Sequence, residues 1–277
     1  MDLIRFVNIY FTVVFTLLGI VIGSFLNVVI YRTPAGRKFS TGRSMCMSCG
    51  HELAAKDLVP LFSWLFLRGK CRYCKAPVPS RYAKIESFTG LVFLIAALTH
   101  PECSLFLTAP DNPLLILLFV DFVLFLIACA ACISAMMIWY DTNKSFLHIA
   151  LFSVISSLLS TVVWDVLRGH AILSVIKRVA VNTGYIAGVV AVCFILLTVF
   201  RKKYEMKDLK LDLTFTPLLL FTFFTGITMT YITVAVFAVI YGISRVITKN
   251  TKGEKYMGIA TFVLIVLITI IRYFIYN

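Results

Sequence analysis

Long apolar stretches separated by short, mostly basic segments dominate the chain. Eight of them carry about the 20 mostly apolar residues that a membrane-crossing helix needs: residues 8–31, 85–99, 114–139, 147–164, 178–200, 211–226, 228–247 and 257–276. The second is short. Only the weak break Thr225-Gly226-Ile227-Thr228 divides the sixth from the seventh, and fusing those two would give seven spans. The first stretch reads as a retained helix rather than a cleaved signal, because Asp2 offsets Arg5, the apolar run is long, and no small-residue cleavage site follows. The pattern predicts an all-α polytopic membrane protein with about eight transmembrane helices.

Composition agrees. Of the 277 residues, 60% are hydrophobic and 14% charged, against about 45–50% apolar and about 25% charged in a soluble domain. Disordered, collagenous, coiled-coil and disulfide-miniprotein classes are excluded. The positions of Lys and Arg set the orientation. Residues 32–84 hold eleven basic side chains against the two acids Glu52 and Asp57, and residues 201–210 and 245–255 are also basic. With eight spans all of these segments fall on one side, which makes them cytoplasmic and places both termini outside. The net charge of +13 is thus accounted for by topology and by attraction to anionic lipid headgroups. A nucleic-acid reader would add aromatic platforms or a reader fold to such charge. Neither is present, and no nucleic-acid partner is expected.

The sizeable aqueous segment, residues 32–84, contains Cys46-Met-Ser-Cys49 and Cys71-Arg-Tyr-Cys74 with 21 residues between the pairs. Two such knuckles at this separation form a tetrahedral zinc site, with Cys46, Cys49, Cys71 and Cys74 as ligands. Gly50 supplies the permissive backbone a tight knuckle turn requires, and Arg72 and Lys75 favour thiolate. The alternative, two disulfides, fits poorly with a reducing cytoplasm. Four protein ligands leave no open position, so the ion is structural. His51 beside the first knuckle is read as a surface residue. The apolar run Asp57–Leu67 between the knuckles either packs as the core of the module or lies along the membrane interface with Trp64 at headgroup depth. Cys129 and Cys132, one turn apart in the third span, are read as packing residues.

Acids beside apolar spans are costly and therefore informative. Asp141 ends the third span and Asp208 opens the sixth, both on the cytoplasmic side. If the fold joins them, one carboxyl group is pushed toward its protonated form, and the pair can act as acid and base on a water molecule. Otherwise each caps or solvates a helix end. Asp212 competes with Asp208 on the same face. Asp121, about 30 Å from Asp141 along one helix, is read as a hydrogen-bonded packing residue. Asp165 is assigned to an outer loop, and His148 to packing inside the fourth span. Gly19-x-x-x-Gly23 and Gly184-x-x-x-Gly188 have the spacing that lets membrane helices approach closely.

Gly23-Ser-Phe-Leu-Asn-Val-Val-Ile-Tyr-Arg32 resembles the signature that ends the first span of bacterial type IV prepilin peptidases. Asp57-Leu-Val-Pro-Leu-Phe-Ser-Trp-Leu65, Arg68-Gly-Lys-Cys-Arg-Tyr-Cys74 and Ser80-Arg-Tyr-Ala-Lys-Ile-Glu86 continue it, so the likeness is dense over residues 19–95. Beyond that it rests on topology and a few positions, such as Asp208-Leu-Lys-Leu211 and Lys255-Tyr-Met-Gly258. The resemblance implies a membrane aspartic protease of the inner membrane, with Asp141 and Asp208 catalytic. Its substrate would be a prepilin or pseudopilin whose basic leader it removes after a glycine. It also implies N-methylation of the new terminus from S-adenosylmethionine. The implied organisation is a first transmembrane helix at 1–31, a cytoplasmic zinc-binding domain at 32–84 and a transmembrane peptidase domain at 85–277. Two departures stand out: Phe146-Leu147-His148 replaces the family's Ile-Pro-Asp, and Glu205-Met206-Lys207 replaces Gly-x-Gly before Asp208. They give weight to a second reading, a catalytically degenerate homologue that binds pilins during assembly. A zinc-stabilised transporter or scaffold is a third, for which the spans offer little polar lining.

Overall fold

The computed structural model describes residues 3–38, 42–142 and 147–167, with a few further positions up to 184. The described residues are helical and contain no strand, only two isolated antiparallel bridges, Met45 with Glu52 and Lys70 with Pro77. Five helices follow in order: α1 (Leu3–Arg32), α2 (Phe62–Phe66), α3 (Arg81–Thr99), α4 (Pro113–Thr142) and α5 (Leu147–Leu167). Of these, α1, α3 and α4 are long and apolar enough to cross a membrane. Together with α5 they occupy the first four predicted apolar stretches. The stretches 178–200, 211–226, 228–247 and 257–276, with Asp208 and Asp212, lie outside the described residues apart from positions up to 184.

The chain divides into two compact units, residues 1–108 and 109–277. In the first, α1 and α3 form a closely packed hairpin. A Cβ on Gly19 would stand 2.6 Å from the Phe93 Cβ, and one on Gly23 2.8 Å from the Glu86 Cα. The small-residue spacing is therefore a backbone contact surface, as the sequence suggests for membrane helices. Phe11, Leu26 and Ile30 of α1 and Val92, Phe93 and Ala96 of α3 are buried in this unit. Leu3, Phe6, Val13, Leu17 and Val21 point outward, as a helix bathed in lipid requires. Two polar groups buried in the hairpin are satisfied within it: the Asn27 amide donates to the Tyr82 carbonyl at 3.2 Å, and the Thr89 hydroxyl to the Ile85 carbonyl at 2.8 Å.

In the second unit, Pro113 stands at the start of α4, where its missing N–H costs nothing. Asn112 caps that end by accepting the Leu114 N–H at 3.0 Å. α4 packs on α5. Their faces carry the buried Asp121, which accepts a hydrogen bond from the Ser160 hydroxyl. Asp121 thus has the hydrogen-bonded packing role its depth suggests, and Cys129 and Cys132, further along α4, are fully enclosed. Two expectations change. Asp165 lies inside α5 and is buried, because helical hydrogen bonding continues past the apolar run that ends at residue 164. His148, in the first turn of α5, is exposed rather than packed.

A side chain at Gly23 must part α1 from α3. Gly23→Val is expected to cost about 1–3 kcal/mol, the usual penalty of overpacking, while Val21→Leu on the outward face is neutral. The thermal unfolding midpoints of the two variants in mild detergent check this.

Candidate metal centre and its surroundings

Cys46, Cys49, Cys71 and Cys74 converge, their sulfurs all lying within 4.8 Å of one another. Cys46 and Cys74 Sγ are 3.8 Å apart. A tetrahedral ion with metal–sulfur bonds of about 2.3 Å sets its ligand sulfurs about 3.8 Å from each other. The donor set and its spacing therefore suit a metal ion.

The convergence is built from one local structure used twice, 25 residues apart. In the first knuckle the Cys46 N–H donates to the His51 carbonyl (2.9 Å), Gly50 N–H to Cys46 (2.9 Å) and Leu53 N–H to Ser44 (2.9 Å). In the second, Cys71 N–H donates to Ala76 (2.8 Å), Lys75 to Cys71 (3.0 Å) and Val78 to Gly69 (2.7 Å). The two bridges, Met45–Glu52 and Lys70–Pro77, obey the same shift. The turn requires a left-handed residue four places after the leading cysteine: Gly50 takes φ 70° and Lys75 φ 60°. Glycine does this freely, whereas lysine meets the steric cost of its Cβ.

The knuckle backbone also tunes its sulfurs. N–H groups of Cys49 and then Ser48 point at the Cys46 sulfur and hold its thiol down to about 6. For Cys74 the Ala76 N–H acts in the same direction, but desolvation and the hydrogen-bonded neighbouring thiols outweigh it and push the group up to about 11.

Asp57 ties the turn after the first knuckle to the second knuckle, a role its position in an apolar run did not advertise. Its carboxylate, only 3% exposed, accepts the Arg72 Nε–H at 2.5 Å, the Tyr73 hydroxyl at 2.9 Å and the Ala54 N–H at 3.2 Å. The Arg72 guanidinium foremost, with these other donors, keeps the Asp57 carboxyl below the usual carboxylate range. Tyr73, holding its proton against that anion, is raised. The exposed His51 ring lies over Tyr73 with centroids 3.7 Å apart. His51 is a surface residue, as expected, with a packing contact across the knuckles.

A second tie joins the module to the hairpin. Glu86 of α3, buried against Gly23 and hydrogen-bonded to Ser24, accepts the Leu61 N–H at 2.6 Å. Leu61 sits at φ 61°, a strained position for a branched residue, and α2 starts immediately after it. Of the two acids proposed for chemistry, Asp141 stands exposed in the last turn of α4. Asp208 is outside the described residues.

The equivalent turn positions should respond oppositely to exchange. Gly50→Ala places a Cβ at positive φ and is expected to lower stability by about 1 kcal/mol. Lys75→Gly relieves that strain while freeing the unfolded chain, leaving it neutral or slightly more stable. Thermal unfolding of the two variants, side by side, reads the difference.

Residues 17–100 match the family model described as the bacterial peptidase A24 N-terminal domain. Over 83 residues the chain is 48% identical to a prepilin leader peptidase/N-methyltransferase of Myxococcus xanthus, covering 30% of this chain and 25% of that protein. It is 40% identical over 102 residues to a type 4 prepilin-like proteins leader peptide-processing enzyme of Escherichia coli, covering 30% and 38%. A prepilin leader peptidase/N-methyltransferase of Dickeya chrysanthemi is 39% identical over 124 residues, covering 35% and 44%. The matches thus span between a quarter and under half of these relatives' length. No solved structure matches. The hairpin and the paired cysteine knuckles both fall inside the segment that matches the bacterial peptidase A24 N-terminal domain model.

Proposed function

We propose that the chain is an endopeptidase of the bacterial inner membrane that removes the leader from type IV prepilins or pseudopilins at the cytoplasmic face. The observation that carries this reading is the similarity over residues 17–100, where the relatives are named for prepilin leader processing.

On this reading the four cysteines hold a zinc ion. All four positions are then filled by protein, and zinc supplies folding energy to a loop with little core of its own. A reducing cytoplasm keeps the thiols available. No step of hydrolysis passes through the ion.

Peptide cleavage is assigned to Asp141 and Asp208, sharing one proton. The ionised carboxylate takes a proton from water as the water oxygen attacks the carbonyl carbon of the leader's last residue, a glycine. The protonated partner donates to the carbonyl oxygen. Collapse of the tetrahedral intermediate breaks the C–N bond, and a proton passes to the departing amine. No covalent enzyme intermediate forms. The relatives' names also carry N-methylation. On this reading methylation of the new N-terminus, with S-adenosylmethionine as donor, follows leader removal.

A second reading, a degenerate homologue that binds pilins without cutting them, is favoured by one observation. Glu205-Met206-Lys207 stands before Asp208 where the resemblance expects glycines.

In proteoliposomes the parent chain is expected to shorten a prepilin by its leader. Asp141→Asn and Asp208→Asn should reduce that to background with unchanged thermal unfolding. Processing retained in either variant removes the assignment, and binding without cleavage by the parent supports the second reading. The mass of the mature first residue reports any methyl group.

Zinc uptake at neutral pH must expel the Cys74 proton. The apparent zinc affinity is therefore expected to rise with pH and fall on acidification. Calorimetric titration in buffers of different ionisation enthalpy measures the protons released.

A further inference from the structure

The run between the knuckles is not the core of the cysteine module. Phe66 is 83% exposed, Leu65 53% and Phe62 44%, with Leu58 and Val59 similarly bare. The opposite side of α2 is committed. The Trp64 indole donates to the Val78 carbonyl at 3.1 Å, and its ring lies against Gly69 of the second knuckle. α2 is therefore held with Phe62, Leu65 and Phe66 turned out.

Its depth is also fixed. The bond from Leu61 N–H to Glu86 Oε2 ties the residue before α2 to the sixth residue of α3, about 8 Å inside that helix. Glu86 in turn lies at Gly23 and Ser24 of α1, which runs on about 12 Å further to Arg32. α2 is thus pinned against the ends of both long apolar helices, not out on the loop.

The charge around it is one-sided. The two acids of residues 32–84 are both occupied, Glu52 with Arg43 at 2.8 Å and Asp57 with Arg72 at 2.5 Å. Lys56 and Arg68, which bracket the apolar run, are exposed. Apolar side chains projecting from a short segment and flanked by cations are what an interfacial lipid anchor presents.

We propose that Phe62, Leu65 and Phe66 of α2 insert into the acyl–headgroup boundary of an anionic bilayer, with Lys56 and Arg68 against the headgroups, so that the cysteine module is docked on the membrane surface. The inference needs α1 and α3 to cross a membrane. It does not need the peptidase reading.

The test uses the full chain reconstituted in vesicles of phosphatidylcholine and phosphatidylglycerol, with benzoylphenylalanine at Phe66 or, as comparison, at Met47, which is 72% exposed on the first knuckle. Irradiation is expected to give phospholipid adducts at position 66, seen by mass spectrometry, and few at 47. Adducts only to protein at position 66, no adduct there, or equal lipid adducts at both positions would each overturn the proposal. The unfolding midpoint of each variant is expected to equal the parent's. A second readout needs no substitution: in vesicles the parent chain resists chymotrypsin at Phe62–Phe66, and cutting there as readily as at other exposed loop sites would also sink the proposal.

Discussion

Glu86 shows the constraint on which the first unit depends: a polar group enclosed by apolar helices must find its partners inside the protein. An unsatisfied group in hydrocarbon costs several kcal/mol. Glu86 meets that demand with Ser24 from α1 and the backbone N–H of Leu61. Because the second donor comes from the loop, satisfying the carboxyl group also fastens the loop. Gly23 lets α1 lie against the Glu86 backbone, with Ser24 beside the carboxyl group. A small residue in α1, an acid in α3 and a strained leucine in the loop are thus one device. The left-handed conformation of Leu61, unfavourable taken alone, is held there by that bond.

The cysteine module solves a different problem. A loop of this size with its apolar side chains turned outward cannot be held by a hydrophobic core, so it is held by directed interactions. Two copies of the same knuckle bring four sulfurs together, and the Asp57 carboxylate ties the turn that follows the first knuckle to Arg72 and Tyr73 of the second. Hydrogen bonds to a charged group contribute about 1.5–3 kcal/mol each, and more of that survives at a carboxylate shielded from water than at the exposed Arg43–Glu52 pair. Both acids are thereby spent inside the module, and its surface is left basic.

What the sequence disclosed follows from the range of each interaction. The apolar lengths of α1, α3 and α4, the glycine spacing of α1 and the cysteine pairs are local patterns with few alternative meanings, and each was legible. Gly50 was legible for the same reason. Lys75 was not, because nothing about a lysine signals positive φ; only the 25-residue repeat of the knuckle does. Asp121 was visible as a costly residue, but its partner was not, and neither Asp57 nor Glu86 announced its role. Leu61 lies 25 positions from Glu86 and Ser160 lies 39 from Asp121, distances over which a single sequence carries no pairing signal. The apolar run of α2 was ambiguous for a deeper reason: composition says that such residues avoid water without saying whether protein or lipid shields them.

The choice between those two shelters follows from geometry and charge together. A core for the module would require α2 to turn Phe62, Leu65 and Phe66 toward the knuckles, yet Trp64 already fills the contact with the second knuckle and leaves them on the far side. A protein partner could cover the same face. On the proposed reading, however, the natural candidate is a leader that is itself basic, and a surface whose acids are internally paired repels it. Anionic lipid attracts both. The basic loop and the basic leader then meet because each is drawn to the same headgroup layer, which carries the cleavage junction to the membrane boundary without requiring the module to bind the leader directly.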